Sequence, residues 1–290
     1  MTMAELVVDL AGVGLEAVAQ VGGKNASLGE LLGQLSQAGV AVPGGFATTA
    51  EAYRLLLQQS VPGDGGSIGT GLAAILKGLD VSDLDALQRA GAAARSLLSA
   101  APLPPLLEQA ITTAYQRMGG GPVAVRSSAT AEDLPEASFA GQQETLLNVE
   151  GESALLLAWR RCVASLFTDR AIVYRHDRGV DHLAVALSVG VQRLVRADRG
   201  AAGVLFTLDT ESGCRDVVLL NAAYGFGETV VQGAVNPDEL MVFKPTLAQG
   251  YGAIISRRLG SKDNRLVVSA DGQLQLEPVP QALRQRFALS

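Results

Sequence analysis

Three consecutive glycines, Gly119-Gly120-Gly121, divide the sequence into two textures, and that change limits the architecture more than any other feature. Upstream, apolar residues recur at helical spacing. In residues 24–38, Leu28, Leu31, Leu32 and Leu35 follow three- and four-residue steps, and Gly39 supplies a stop, which predicts an amphipathic helix. Residues 40–48 pass through Pro43-Gly44-Gly45 into a short strand, after which Thr48 or Thr49 caps a second helix reaching Leu57. Residues 61–70, rich in Gly and polar groups, read as a loop. Two further helices are predicted near 82–100, with Ser82 as cap and Asp83 and Asp85 in the first turn, and near 105–118. Downstream of the glycines, strand-like stretches at 123–126 and 144–149 precede a helical block at 152–178, with Thr168 capping its second half. Four or five apolar strands follow, near 183–195, 203–206, 217–221, 240–243 and 266–268. A helical N-terminal part and a sheet-rich second half predict an α+β fold with a cleft between lobes and subdomains of about 1–200 and 201–290.

Composition narrows the function classes. Hydrophobic residues at 48% and charged residues at 18% suit a packed globular chain. A formal charge of −6 argues against a general nucleic-acid binder, which needs a dense basic surface, while leaving room for a local basic pocket around one nucleotide. Residues 1–21 carry Glu5, Asp9 and Glu16 and lack the basic start and apolar core of a secretory leader. No apolar run reaches the length of a membrane span; the longest, 183–191, reads as a buried strand. Cys162 and Cys214 stand far apart, which points to a reducing compartment, the cytoplasm by default. His176 and His182 lack metal-ligand spacing and read as structural or surface groups.

Three segments could carry chemistry. Gly22-Gly23-Lys24 sets a lysine at a helix start, where backbone N–H groups and an ammonium favour phosphate. It departs from the P-loop, since Asn25 stands where Ser or Thr is required, and a plain turn before a helix explains the same residues. Residues 123–145 deliver Arg126 from an apolar strand into Ser127, Ser128, Ala129 and Thr130, then reach a glycine turn at Gly141 and Thr145. An arginine among hydroxyls and small residues suits phosphate, because the guanidinium is a planar, permanently charged donor. In residues 223–239, Gly225 and Gly227 flank Phe226, and Glu228, Asp238 or Glu239 could meet a magnesium ion or a ribose hydroxyl, although Asn236-Pro237-Asp238 reads more simply as a turn. Gln192 and Arg193 interrupt an apolar strand and either face a base or ribose or mark the strand end.

Taken together, VGGKNASLGELL (21–32), GVAVPGGFATT (39–49), AVRSSATAEDLPEASFAGQQETLLNV (124–149), SLFTDRAIVYR (165–175) and GETVVQGAVNPDE (227–239) resemble the phosphoenolpyruvate synthase (pyruvate, water dikinase) family over nearly the whole chain. The resemblance implies an ATP-grasp-like nucleotide-binding domain that uses ATP with Mg2+. It also implies transfer of the β-phosphate to a histidine on a separate domain, in cis or on a partner chain, and then to pyruvate. Carried over position by position, it puts Lys24 and Arg126 on the ATP phosphates as the catalytic pair, Gly141 and Thr145 in a lid, and Gln192 and Glu228 in the nucleotide cleft. The acidic metal-binding segment, the Gln-Ala-Arg-Pro-Glu segment and the phosphohistidine motif of that family have no counterpart in the sequence, so the nucleotide domain is expected to be C-terminally incomplete. Weak or no ATP binding and no complete dikinase reaction are expected of the stretch alone. The same ATP domain occurs in pyruvate phosphate dikinase and the rifamycin phosphotransferases, from which VQGAVNPDE and GFATT separate it in favour of the synthase. A non-catalytic nucleotide-binding module or inactive fragment is the alternative of another class.

Overall fold

The computed structural model describes residues 2–61, 66–130, 133–134, 137–138 and 145–289. The chain is α+β and forms two compact units, Met1–Leu194 and Val195–Ser290.

In the first unit, α1 (Met3–Leu6) and β1 (Val7–Asp9) lead into α2 (Val18–Gln37), β2 (Gly45–Thr48), α3 (Ala50–Leu57), α4 (Ile68–Leu76), α5 (Leu84–Ala100) and α6 (Pro105–Arg117). β3 (Val123–Ala129), a short ladder of β4 (Asp133–Leu134) with β5 (Ala137–Ser138), β6 (Thr145–Val149), α7 (Glu152–Ala164), α8 (Asp169–Asp177) and β7 (Leu187–Arg193) complete it. The main sheet runs β1-β2-β7-β3-β6 with every neighbouring pair antiparallel. Strands from both ends of the unit therefore close one sheet, whereas the sequence pattern suggests helices first and strands later.

Alternation along β3 and β7 gives the sheet two different faces. Val123, Val125 and Ala129 on β3 and Leu187, Val189 and Val191 on β7 join a large apolar core with Tyr53, Leu72, Leu98, Ile111 and Trp159 from the helices. The other face of the same strands carries Ala124, Arg126 and Ser128 beside Ser188, Gly190 and Gln192. Against this polar face lies α2.

Local chemistry explains where the helices begin. Ser67 caps α4 by accepting from the Thr70 amide at 3.2 Å, and Ile68, Leu72 and Leu76 bury themselves one turn apart, so part of the expected loop at 61–70 is helix. Residues 62–65 lie outside the described residues. Asp83, not Ser82, caps α5, accepting from the Ala86 amide at 3.0 Å, while the Ser82 hydroxyl is turned back to Asp80 at 2.6 Å. Thr168 caps α8 as expected.

The helix predicted from the leucines of residues 24–38 exists but buries a different stripe. Val21, Gly22, Asn25, Ala26 and Gly29 form its buried face, whereas Leu31 is 43% exposed and Leu28, Leu32 and Leu35 are only half-buried. Small residues win this face because the helix approaches neighbouring backbone closely, that of β3 at Gly22 and that of the segment after β1 at Gly29. A side chain on Gly29 would stand 2.2 Å from the Val13 carbonyl.

The second unit contains β8 (Ala201–Phe206), β9 (Val217–Tyr224), α9 (Glu228–Val231), β10 (Asp238–Phe243), α10 (Lys244–Ala248), β11 (Ile254–Arg258), β12 (Asn264–Val268), β13 (Leu274–Pro278) and α11 (Gln281–Arg284). Its sheet runs β11-β10-β9-β8, all antiparallel, with β12 and β13 as a separate hairpin. The sequence pattern predicts neither β11 nor β13. β11 is exposed along its whole length and carries two arginines, which hides the apolar signature of a strand. Neither Cys162, buried, nor Cys214, exposed, forms a disulfide. Among the described residues, no helix is long and apolar enough to cross a membrane.

Candidate functional site

The polar face of the first unit collects most of the residues singled out from the sequence. Arg126 on β3 pairs directly with Thr145 at the start of β6 and with Gly190 on β7, and Ala124 pairs with Gln192. Cross-strand partners share a face, so Arg126, Thr145 and Gln192 project from the same side of the sheet. Lys24 lies on α2, the helix laid on that side, with its side chain exposed. Gly141 lies outside the described residues.

The start of α2 is built for this placement. At Gly22 the backbone leaves helical geometry (φ 73°, ψ 163°), which splits α2 into a short lead-in and the helix proper. That left-handed conformation is available to glycine at little cost, and a Cβ there would lie 2.3 Å from Ser128 Oγ and 2.4 Å from the Ser128 carbonyl oxygen. The residues after the kink therefore present new helix-start N–H groups beside β3. The Asn25 amide is one of them; it donates to Ser128 Oγ at 3.3 Å.

Asn25 is buried, and its side chain points into the sheet instead of toward solvent. Its Nδ2 donates to Ser188 Oγ at 2.9 Å, and Ser188 Oγ donates to the Thr48 carbonyl oxygen at 2.5 Å. Thr48 Oγ1 accepts from Trp159 Nε1 at 3.0 Å and from the Val189 amide at 3.1 Å. Gly190 lies under Asn25, and a Cβ there would meet Asn25 Oδ1 at 2.2 Å. Sequence reasoning marks Asn25 only as a departure from the P-loop. The signal that could have revealed its role is a polar residue set among Gly22, Gly23, Ala26 and Gly29, the small residues of a buried helix face.

Arg126 is the electrostatic feature of this face. Its Nε is buried and, among the described residues, has no hydrogen-bond partner. Burial lowers the guanidinium pKa from its ordinary value. A partly desolvated cation with an unsatisfied donor is costly unless an anion completes it. Ser127 and Ser128, the hydroxyls following it, are buried, and Ser128 Oγ already receives the Asn25 amide. Gln192 is 7% exposed and gives its Nε2 to the Pro43 carbonyl oxygen at 2.8 Å, so its amide nitrogen holds the Pro43-Gly44-Gly45 turn against β7. Gly45 is required there, since a side chain would stand 2.1 Å from the Val191 carbonyl oxygen.

The second unit holds Glu228 at the first position of α9, half-buried, with Oε1 accepting from Gln232 Nε2 at 2.9 Å. Gly225 does adopt positive φ (85°), but the space above it is filled by the Leu266 backbone, whose carbonyl oxygen would lie 2.6 Å from an added Cβ, so this glycine packs the β12 hairpin. Asp238 is neither a plain turn residue nor available to a metal. It is fully buried, accepts from the Gly260 amide at 2.9 Å and the Ala288 amide at 2.6 Å, and pairs with the buried ammonium of Lys262. Lys262 also donates to the Gly260 carbonyl oxygen at 2.9 Å. Glu239 pairs with Arg258 at 3.0 Å. Among the described residues, no three His, Cys, Asp or Glu side chains gather where they could hold a metal ion.

Residues 18–290 match the family model described as pyruvate phosphate dikinase, AMP/ATP-binding domain. The chain is 53% identical over 296 residues to a phosphoenolpyruvate synthase from Pseudomonas aeruginosa, covering 99% of the chain and 37% of that protein. Proteins of the same name from Aquifex aeolicus (50% identical, 98% and 33% covered) and Escherichia coli (49% identical, 96% and 35% covered) are similar. The chain thus spans about a third of the length of these relatives.

Proposed function

Because the chain belongs to the pyruvate phosphate dikinase AMP/ATP-binding domain family, we propose that the polar sheet face of its first unit binds the phosphates of ATP. The observation that carries this reading is Arg126, whose buried, unsatisfied Nε projects from the same sheet face as Thr145 and Gln192, under the helix that bears Lys24. In this reading the fold is ATP-grasp-like, Lys24 and Arg126 neutralise phosphate charge, Thr145 belongs to a lid, and Gln192 borders the nucleotide.

The relatives' shared name supports a place in a phosphoenolpyruvate synthase, a cytoplasmic phosphotransferase. There ATP, pyruvate and water become AMP, phosphoenolpyruvate and phosphate, through a phosphohistidine on another domain of the longer protein. The chemistry assigned to this chain is positioning and charge neutralisation, which phosphoryl transfer chiefly demands. Mg2+ arrives with the nucleotide; the described residues offer no three-ligand set for it, and no step is assigned to it.

Amide-shift NMR titration with Mg-ATP tests the proposal. The parent chain is expected to show weak, saturable shifts, and Arg126→Ala to weaken binding about tenfold or more, the size of a charge-assisted hydrogen-bond loss. Equal affinity in the two proteins would remove Arg126 from the site.

A further inference from the structure

We propose that Asn25 is a positioning residue of this face: it clamps the start of α2 to β3 and β7 and thereby fixes where Lys24 stands relative to Arg126. The inference rests on the ATP-binding reading of the face and adds a residue that no part of that reading requires.

Asn25 makes two hydrogen bonds to two different strands. Its backbone N–H reaches Ser128 Oγ on β3 at 3.3 Å, and its side-chain Nδ2 reaches Ser188 Oγ on β7 at 2.9 Å. The orientation of the amide is dictated by its neighbour. Ser188 has one hydroxyl hydrogen, and this goes to the Thr48 carbonyl oxygen, so Ser188 can only accept from Asn25. The chain of bonds ends in the core, where Thr48 Oγ1 accepts from Trp159. All five residues, Asn25, Ser128, Ser188, Thr48 and Trp159, are at most 1% exposed. Such a buried network holds one geometry, because sliding the helix by one residue would strand donors out of reach of water.

The glycines make the clamp possible. Gly22 lets the helix start approach Ser128, and Gly190 leaves room for Asn25 Oδ1. Lys24 is the residue immediately before the clamp, and Arg126 is two residues before Ser128 on the strand that the clamp grips. Any rotation of the helix start therefore moves the ammonium against the guanidinium. A P-loop hydroxyl at position 25 would face a metal ion, whereas Asn25 faces the sheet and acts only through its neighbours.

A double-mutant cycle on Mg-ATP affinity, read by the same NMR titration, tests this. In the parent chain Lys24→Met is expected to weaken binding about tenfold, as for one charge-assisted contact. In an Asn25→Ala background the same substitution is expected to cost less than about twofold, since the ammonium is already displaced. The cost of Arg126→Ala should stay the same in both backgrounds, which a general loss of stability would not produce. Ser188→Ala deletes the acceptor of the Asn25 side-chain amide together with the hydroxyl donor to the Thr48 carbonyl, leaves α2 itself unsubstituted, and repeats the cycle in that background. A full tenfold cost of Lys24→Met in both the Asn25→Ala and Ser188→Ala backgrounds overturns the role of Asn25 and leaves the ATP reading standing. Absence of saturable Mg-ATP shifts in the parent overturns the ATP reading, and the role of Asn25 with it.

Discussion

Replacing Gly22 by alanine should destabilise the first unit, whereas the same replacement at Gly33, eleven residues further along the same helix, should stabilise it. At Gly22, φ is 73° and ψ 163°, a region essentially confined to glycine that costs an L-residue about 1–3 kcal/mol. The added methyl would also lie 2.3 Å from Ser128 Oγ and 2.4 Å from the Ser128 carbonyl oxygen. The second contact is with a backbone atom of a central strand and cannot be relieved by a rotamer change, so overpacking adds about 1–3 kcal/mol. Together these give a loss of about 2–6 kcal/mol. At Gly33 a Cβ meets nothing within 4 Å, so only the lower entropy of the unfolded chain counts, a gain of about 0.5–1 kcal/mol. Urea unfolding followed by the fluorescence of Trp159, the sole tryptophan and fully buried in the first unit's core, reports both. The midpoints should move in opposite directions at unchanged slope. A Gly22→Ala midpoint equal to the parent's, or two variants shifting alike, would refute the close approach of α2 to β3 as the reason for this glycine.

Two further perturbations test other parts of the structure. Lys262→Met leaves the Asp238 carboxylate buried beside only two backbone donors and should cost the second unit about 3–5 kcal/mol, seen as lost hydrogen-exchange protection at the Gly260 and Ala288 amides. Unchanged protection would mean that the pair is not needed to hold this corner. His182 accepts from Arg175 Nε at 3.1 Å; burial, then Arg175, hold its pKa below the usual 6.5, with Asp181 opposing and His176 adding a little. The fold thus favours neutral imidazole, so the stabilisation is complete above pH 6.5 and is lost as pH falls through the depressed folded value. The urea midpoint should drop on acidification less steeply in His182→Gln than in the parent, and parallel pH profiles would count against this.

Much of the fold can be read along the chain because helix caps and apolar strands are local signals. Thr168, Pro105 and the runs around Val123, Leu187 and Val217 all mark elements that the structure contains. What cannot be read is decided by partners distant in sequence. The leucines of α2 look like its buried face, but Val21, Gly22, Asn25, Ala26 and Gly29 are buried instead, because the Ser128 backbone leaves no depth beside Gly22 and the Val13 and Leu10 carbonyls leave none beside Gly29. Arg126 and Thr145 are legible as polar residues near small ones, whereas their direct pairing depends on the β3–β6 register. Asp238 shows the opposite failure. In sequence it sits in a turn-like Asn-Pro-Asp, and only the arrival of Lys262, 24 residues later, turns it into half of a buried ion pair.

Phosphate binding on the polar face of the first unit is tested most directly by a crystal structure of this chain with a non-hydrolysable Mg-ATP analogue. The analogue's phosphate oxygens are expected within hydrogen-bond distance of Arg126 Nε and of the Lys24 ammonium, over the face shared by Thr145 and Gln192. A bound nucleotide whose phosphates touch neither Lys24 nor Arg126 would contradict the assignment.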